Sequence, residues 1–203
     1  MIALRRRASA RFGALAFLLA ILLASACSTL PPQTNAERNY AGRFSLAVTR
    51  EPGGEDEQQH AWSGRFSLAV APNALTLDLV SPLGTTIARI ETDAQEARLL
   101  VPDNGGVRVE HGVDAQALSQ KVLGWSLPIA GMPDWVEGHP ATARPYRALP
   151  DADGKNRFEQ DGWTVTVERP GDARAGLRLQ MDHPADDATP HMALRVVLDA
   201  PAS

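Results

Sequence analysis

Cysteine is almost missing from this sequence: there is one, Cys27, among 203 residues. That excludes a disulfide framework and any thiolate zinc cluster. Aromatic residues make up only 5%, although four of them are tryptophan. Net positive charge is also lacking. With 20 basic and 24 acidic residues the chain carries −4, which argues against a nucleic-acid binder needing a basic stripe to neutralise phosphates. No phosphate-cradling glycine loop and no Gly-x-Ser-x-Gly elbow is present, and the acidic residues are too scattered to support a paired-carboxylate glycosidase. His60, His111, His139, His183 and His191 show no metal-ligand spacing. No catalytic residue and no metal site is therefore assigned, and nothing suggests an enzyme. Long apolar runs are missing too. The longest, Gly13 to Ala24, spans roughly 18 Å as a helix against the ~30 Å of a bilayer core.

What is there begins with an uneven distribution of charge. Residues 1–26 hold Arg5, Arg6, Arg7 and Arg11 and no acidic side chain, which leaves 16 basic against 24 acidic residues in the rest. A basic stretch, a short apolar run and the small residues Ala24-Ser25-Ala26 read as a secretory signal. Cys27 follows directly. This resembles a bacterial lipoprotein signal peptide with a lipobox, although the usual leucine three places before the cysteine is Ala24, and the leucine stands at Leu23. The resemblance implies cleavage of residues 1–26 and an N-acyl and S-diacylglycerol lipid on Cys27. Ser28 in place of an aspartate implies sorting to the outer membrane, facing the periplasm. Three acyl chains at ~0.8 kcal/mol per methylene anchor stably, where one is marginal. The polar residues 27–40, stiffened at Pro31-Pro32, read as a lipidated tether, and residues 41–203 as a single domain.

Alternation dominates from residue 41 onward. Phe44, Leu46 and Val48 share one face, as do Trp62, Phe66, Leu68 and Val70, and then Leu75, Leu77 and Leu79; each set predicts a half-buried strand. The heptapeptide Gly-Arg-Phe-Ser-Leu-Ala-Val occurs at 42–48 and again at 64–70. With the polar stretch 51–60 between them, the copies predict a long hairpin whose arms have similar facing requirements. Further strands are predicted at 86–91, 97–101 and 107–110. A helix capped by Asp114 and ended by Gly124 follows, then a short helix at 133–137. Strand signals resume at 146–149, 157–160, 163–168, 177–181 and 192–198, with Asp161-Gly162 as a tight hairpin turn. About eleven strands with short connections make an antiparallel sheet with a helical insertion, a mainly β (α+β) fold. A sheet with one apolar face must curl to cover it, giving an unclosed barrel with the helical insertion as its lid.

Four segments stand out in order: Ser81-Pro-Leu-Gly-Thr85, Leu123-Gly-Trp-Ser-Leu-Pro128, Trp135-Val-Glu-Gly138 and Phe158-Glu-Gln-Asp-Gly-Trp163. With Gly42-Arg-Phe44 near the start, and behind a lipobox, they resemble the LolB family, the outer-membrane lipoprotein receptors of the Lol sorting pathway. Two departures are a C-terminus without the family's aromatic residue and a doubled Gly-Arg-Phe segment more regular than the family needs. The resemblance implies an eleven-stranded unclosed barrel with a helical lid over a hydrophobic cavity. It implies a task as well: to take acylated lipoprotein cargo from a LolA-like periplasmic carrier and place it in outer-membrane lipid, as a monomer.

Phe44, Leu46, Trp62, Phe66, Leu68, Leu77, Leu79 and Leu177 are the side chains expected to face the cavity. Pattern alone also allows them an ordinary filled core; the resemblance is what implies a cavity. Leu83, between Pro82 and Gly84, could fold back onto the sheet edge by composition alone. The resemblance implies instead that it projects outward and helps deliver cargo into the membrane. Trp125 and Trp135 are expected to pack the lid helices, and Trp163 the sheet. Two other readings stay open: a lipid-anchored scaffold or assembly lipoprotein with a filled core and no cargo transfer, and a lipid-modifying enzyme with a polar triad at the cavity mouth.

Overall fold

The computed structural model describes residues 36–50, 58–103, 105–123, 125–172, 175–186 and 189–200, all within one compact unit, Gln33–Ser203. The expected signal peptide, Cys27, most of the expected tether and loop residues 51–57 lie outside the described residues.

Eleven strands follow the predicted order: β1 (Arg38–Arg50), β2 (Gln58–Ala71), β3 (Ala74–Val80), β4 (Thr86–Thr92), β5 (Ala97–Asp103), β6 (Gly106–Gly112), β7 (Arg147–Ala152), β8 (Lys155–Gln160), β9 (Trp163–Glu168), β10 (Arg178–His183) and β11 (His191–Leu198). Helices α1 (Ala115–Leu123) and α2 (Met132–Trp135) lie between β6 and β7. The sheet order is β6-β5-β4-β3-β2-β1-β11-β10-β9-β8-β7. Two antiparallel meanders are thus joined where the first strand pairs with the last. β6 and β7 stay at opposite edges, so the barrel does not close. β1 starts at Arg38, ahead of the expected domain start at residue 41, because Tyr40 pairs with Leu68 and packs against the core.

The repeated heptapeptide has a physical reason. Antiparallel pairing of β1 with β2 sets Gly42 opposite Phe66 and Phe44 opposite Gly64. A Cβ on Gly42 would stand 2.8 Å from the Phe66 ring, and one on Gly64 would stand 3.1 Å from the Phe44 ring. Each copy's missing side chain therefore makes room for the other copy's ring. A one-residue slip of either strand would turn that strand's ring to the opposite face, so the pair also fixes the register.

The connection from β6 to β7 is fastened at both ends. Asp114 caps α1, its Oδ1 accepting the Ala117 N–H at 2.7 Å, as a helix start requires. From α1, the Ser119 hydroxyl oxygen accepts the Leu127 N–H at 3.0 Å. At the far end a buried amide gathers several groups. Gln160 Oε1 accepts the Trp135 indole N–H at 2.8 Å and the Ala141 N–H at 2.9 Å, while its Nε2 donates to the Ala141 carbonyl at 2.8 Å. Beside it, the Glu137 carboxylate accepts from the Tyr40 hydroxyl and from Arg38 Nη1 at 2.7 Å. His139 Nε2 lies 3.1 Å from the same carboxylate, and Arg169 donates to the Glu137 carbonyl at 3.1 Å. The Tyr40 hydrogen bond, with Arg38 and His139 adding to it, holds the Glu137 carboxyl below its ordinary range against the opposing effect of burial. Burial, then the bond to Glu137, pushes the Tyr40 hydroxyl up.

Two outcomes follow from these fastenings. Gln160→Leu strands the Trp135 and Ala141 donors in the interior at about 1–3 kcal/mol each, so urea unfolding should show a loss of roughly 3 kcal/mol. A change within about 0.5 kcal/mol, the usual range of a surface substitution, would show that the amide fastens nothing. Glu137 binds its proton less readily folded than unfolded, so its contribution is complete above the ordinary carboxylate pKa and fades as pH falls through the folded value. The stability gap between wild type and Glu137→Gln should accordingly be widest near pH 7 and shrink steadily below about pH 5. A gap independent of pH would contradict the assignment.

Candidate functional site

Beneath the β6–β7 connection the inner face of the sheet is not filled. A cavity of about 230 Å³ remains there. Six of the eight side chains expected to face a cavity line it: Phe44, Leu46, Trp62, Phe66, Leu77 and Leu79. Leu68 and Leu177 do not, and both expectations are corrected. Leu68 points inward but sits opposite Tyr40 and Leu77, packed so closely that 1% of its surface is exposed. Leu177 stands just ahead of β10, where its carbonyl accepts the Leu198 N–H at 2.9 Å, and it packs half-buried against the core away from the cavity.

Other lining residues escape simple alternation. Between β3 and β4 the register shifts: Leu79 pairs with Ala88 but Val80 pairs with Thr86. Ile87 is the extra residue of this bulge, and the local bend lets the consecutive Ile87 and Ala88 both reach the cavity. Val101, Leu194 and Val196 complete the sheet side.

The cover consists of Trp125, Leu127, Pro128 and Ile129 with Met132 of α2. Residues 125–129 are neither helix nor strand, so the insertion meets the cavity mainly through its irregular middle, while α1 packs on β4, β5 and β6. Trp125 corrects a third expectation. Its ring lines the cavity rather than packing a helix, with its centroid 5.0 Å from that of Trp62 at an interplanar angle of 40°. Trp135 is fully buried beside Phe158, and Trp163 is buried in β9 with His183 edge-on to its ring.

Leu83 tops the β3–β4 hairpin. The Gly84 N–H donates to the Ser81 carbonyl at 2.9 Å, and the Ser81 N–H donates to the Thr85 carbonyl at 2.8 Å. The Thr85 N–H also donates to the Ser81 hydroxyl at 3.2 Å. Pro82 presets the turn, and Gly84 takes the left-handed conformation (φ +86°) that closes it. These bonds hold the loop without using the Leu83 side chain, which is 95% exposed. It does not fold back onto the sheet. The same hairpin carries Leu79 and Ile87 in the cavity wall, so the exposed leucine extends the cavity-lining pair of strands.

Every lining side chain is apolar except for the indole N–H groups of Trp62 and Trp125. Such a lining can hold hydrocarbon and offers no group for acid–base chemistry. Among the described residues no cluster of three potential metal ligands occurs, and no helix is long and apolar enough to cross a membrane.

The family model described as "Outer membrane lipoprotein LolB" matches residues 38–199. Among curated relatives, the outer-membrane lipoprotein LolB of Cupriavidus pinatubonensis is 32% identical over 92% of this chain and 93% of its own length. That of Ralstonia nicotianae is 30% identical over 94% and 97%, and that of Bordetella petrii 34% identical over 81% and 82%. The match spans the open sheet from its first strand to its last, cavity wall and Leu83 hairpin included, and the chain belongs to the LolB family.

Proposed function

We propose that this chain is an outer-membrane lipoprotein that receives other lipoproteins, holds their acyl chains in the cavity beneath residues 125–132, and passes them to the outer membrane. The observation that carries the reading is an apolar space left open inside a sheet whose other inward positions are closely packed. A scaffold would be better served by a filled core.

Transfer needs no bond to be made or broken. A sixteen-carbon chain exposed to water costs about 10 kcal/mol or more at ~0.8 kcal/mol per methylene, so cargo must move between apolar sites rather than through solvent. A LolA-like periplasmic carrier, this cavity and the bilayer then form a downhill series, each somewhat better for the chain than the last. The 230 Å³ cavity is smaller than typical ligand pockets of about 300–1,000 Å³, so an entering chain lifts the roof. Residues 128–132 lie between the fastenings at Leu127 and Trp135 and rest on the cavity through Pro128, Ile129 and Met132, which is where that movement belongs.

In this reading residues 1–26 are removed, Cys27 bears the N-acyl and S-diacylglycerol anchor, residues 27–40 are the tether, and the domain of residues 41–203 works as a monomer. Phe44, Leu46, Trp62, Phe66, Leu77 and Leu79 contact the chain, joined by Trp125. Leu83 dips into the outer membrane and lowers the barrier for the last step. The acidic balance of the domain fits membrane contact made by lipid and leucine rather than by charge.

A transfer assay with a cargo-charged carrier tests both steps. The full chain should draw acylated lipoprotein from the carrier and release it into liposomes. Leu83→Glu should leave uptake intact and slow insertion by at least about tenfold, the factor matching roughly 1.5 kcal/mol of lost leucine burial. Insertion at the wild-type rate would remove Leu83 from the mechanism, and absence of uptake by the folded wild type would sink the receptor reading.

A further inference from the structure

We infer that the Trp125 indole N–H is a hydrogen-bond anchor for the carbonyl at the head of a fatty-acyl chain; the inference rests on the reading of the cavity as an acyl-chain site. Indole nitrogen can only donate. Trp125 Nε1 is buried and meets no acceptor among the described residues. The surrounding lining supplies none, since the other side chain there with a nitrogen or oxygen is Trp62, a second donor. A trapped water would need two to four polar partners, which these walls do not offer.

Trp135 provides the contrast within the same connection. Its indole N–H is buried as well, and the fold places the Gln160 amide oxygen 2.8 Å away to receive it. Where the indole is structural, an acceptor is built in. The Trp125 ring lines the cavity, and its enclosed N–H has no acceptor among the described residues. A buried donor left unmet destabilises a fold, so its presence at the cavity points to an acceptor that arrives with the ligand. A saturated acyl chain carries acceptors at one place, its ester or amide carbonyl. Lifting the roof uncovers the enclosed N–H, and with the carbonyl at Trp125 the tail lies among Phe44, Leu46 and Leu79. The Trp62 ring against Trp125 holds the indole plane, and the bond ties the roof to its ligand.

Fatty-acyl carbonyls occur on lipoprotein cargo and on phospholipids, and the test separates the two sources. The full chain, wild type and Trp125→Phe, is titrated with methyl laurate and with tridecane, which lacks a carbonyl, by displacement of N-phenylnaphthylamine. The ratio of ester to alkane affinity should be about fivefold higher for wild type than for the variant, within the range of one hydrogen bond. In proton–nitrogen NMR spectra of the wild type, the Trp125 indole resonance should move downfield with the ester and not with the alkane, a readout independent of how the variant folds. An ester-to-alkane ratio unchanged by the substitution, with an unmoved indole resonance, overturns the anchor while leaving an acyl site. Failure of both ligands to bind overturns the acyl-site reading and the anchor with it. A triacylated cysteinyl dipeptide that moves the resonance assigns the site to cargo, whereas movement with dipalmitoyl phosphatidylethanolamine alone overturns cargo as the source.

Discussion

The inner face of an open sheet has to be covered without being filled. Because β6 and β7 lie at opposite edges and do not pair, the barrel cannot seal its own interior. The β6–β7 connection must lie over the apolar face instead. Were that cover a well-packed helix, large side chains would reach down and complete an ordinary core. An irregular stretch carrying Leu127, Pro128 and Ile129 leaves the space beneath it open. The sheet's curvature has its own requirement at Gly42 and Gly64. A Cβ at either position would meet the carbonyl oxygen of a neighbouring strand, Val197 at 2.3 Å and Val80 at 2.0 Å. The doubled Gly-Arg-Phe motif thus serves strand approach and ring placement together.

Polar and apolar forces are divided along the cover. Its ends are held by directional bonds: Ser119 to Leu127, Gln160 to Trp135 and Ala141, and Glu137 to Arg38 and Tyr40. Between Leu127 and Trp135 it is held by contact with hydrocarbon, through Pro128, Ile129 and Met132. Lifting the middle exposes apolar surface, a loss proportional to area, unless another apolar surface replaces the one withdrawn. In the proposed function an acyl chain provides that replacement, which makes opening unfavourable without cargo and nearly neutral with it. Near neutrality is what a downhill relay requires, since a site that bound too well would not release to the bilayer. The hairpin of β3 and β4 carries Leu79 and Ile87 in the cavity wall and the exposed Leu83 at its turn.

Much of this was legible in the sequence because period-two alternation reports which side of a strand faces inward. That signal predicts the inward set from Phe44 to Leu79, and together with turn chemistry such as Asp161-Gly162 it predicts all eleven strands. Alternation does not report whether the inward space is filled, so Leu68 and Leu177 show the same pattern as the true lining residues. It also fails wherever the period breaks. Ile87 reaches the cavity through a bulge, and residues 125–129 have no period to read. The side faced by Trp125 was therefore hidden. Gln160 left a trace, a polar residue at an inward position two places after Phe158, but its partners lie 15 to 25 residues away in the chain and pattern could not name them. The turn chemistry around Leu83 was evident from Pro82 and Gly84. Its outward direction depends on bonds made wholly by Ser81, Gly84 and Thr85, which only the folded loop displays.

The most direct measurement of the central claim is to locate a bound acyl chain. A cysteine lipopeptide whose palmitoyl chain carries a terminal diazirine would be bound to the full chain, irradiated, and its attachment points mapped by mass spectrometry. Labelling concentrated on Leu46, Leu79 and Leu127, with little on the outer face of the sheet, is the predicted result. Labelling confined to the outer face, or spread evenly over the protein, would contradict an acyl chain held under the β6–β7 connection.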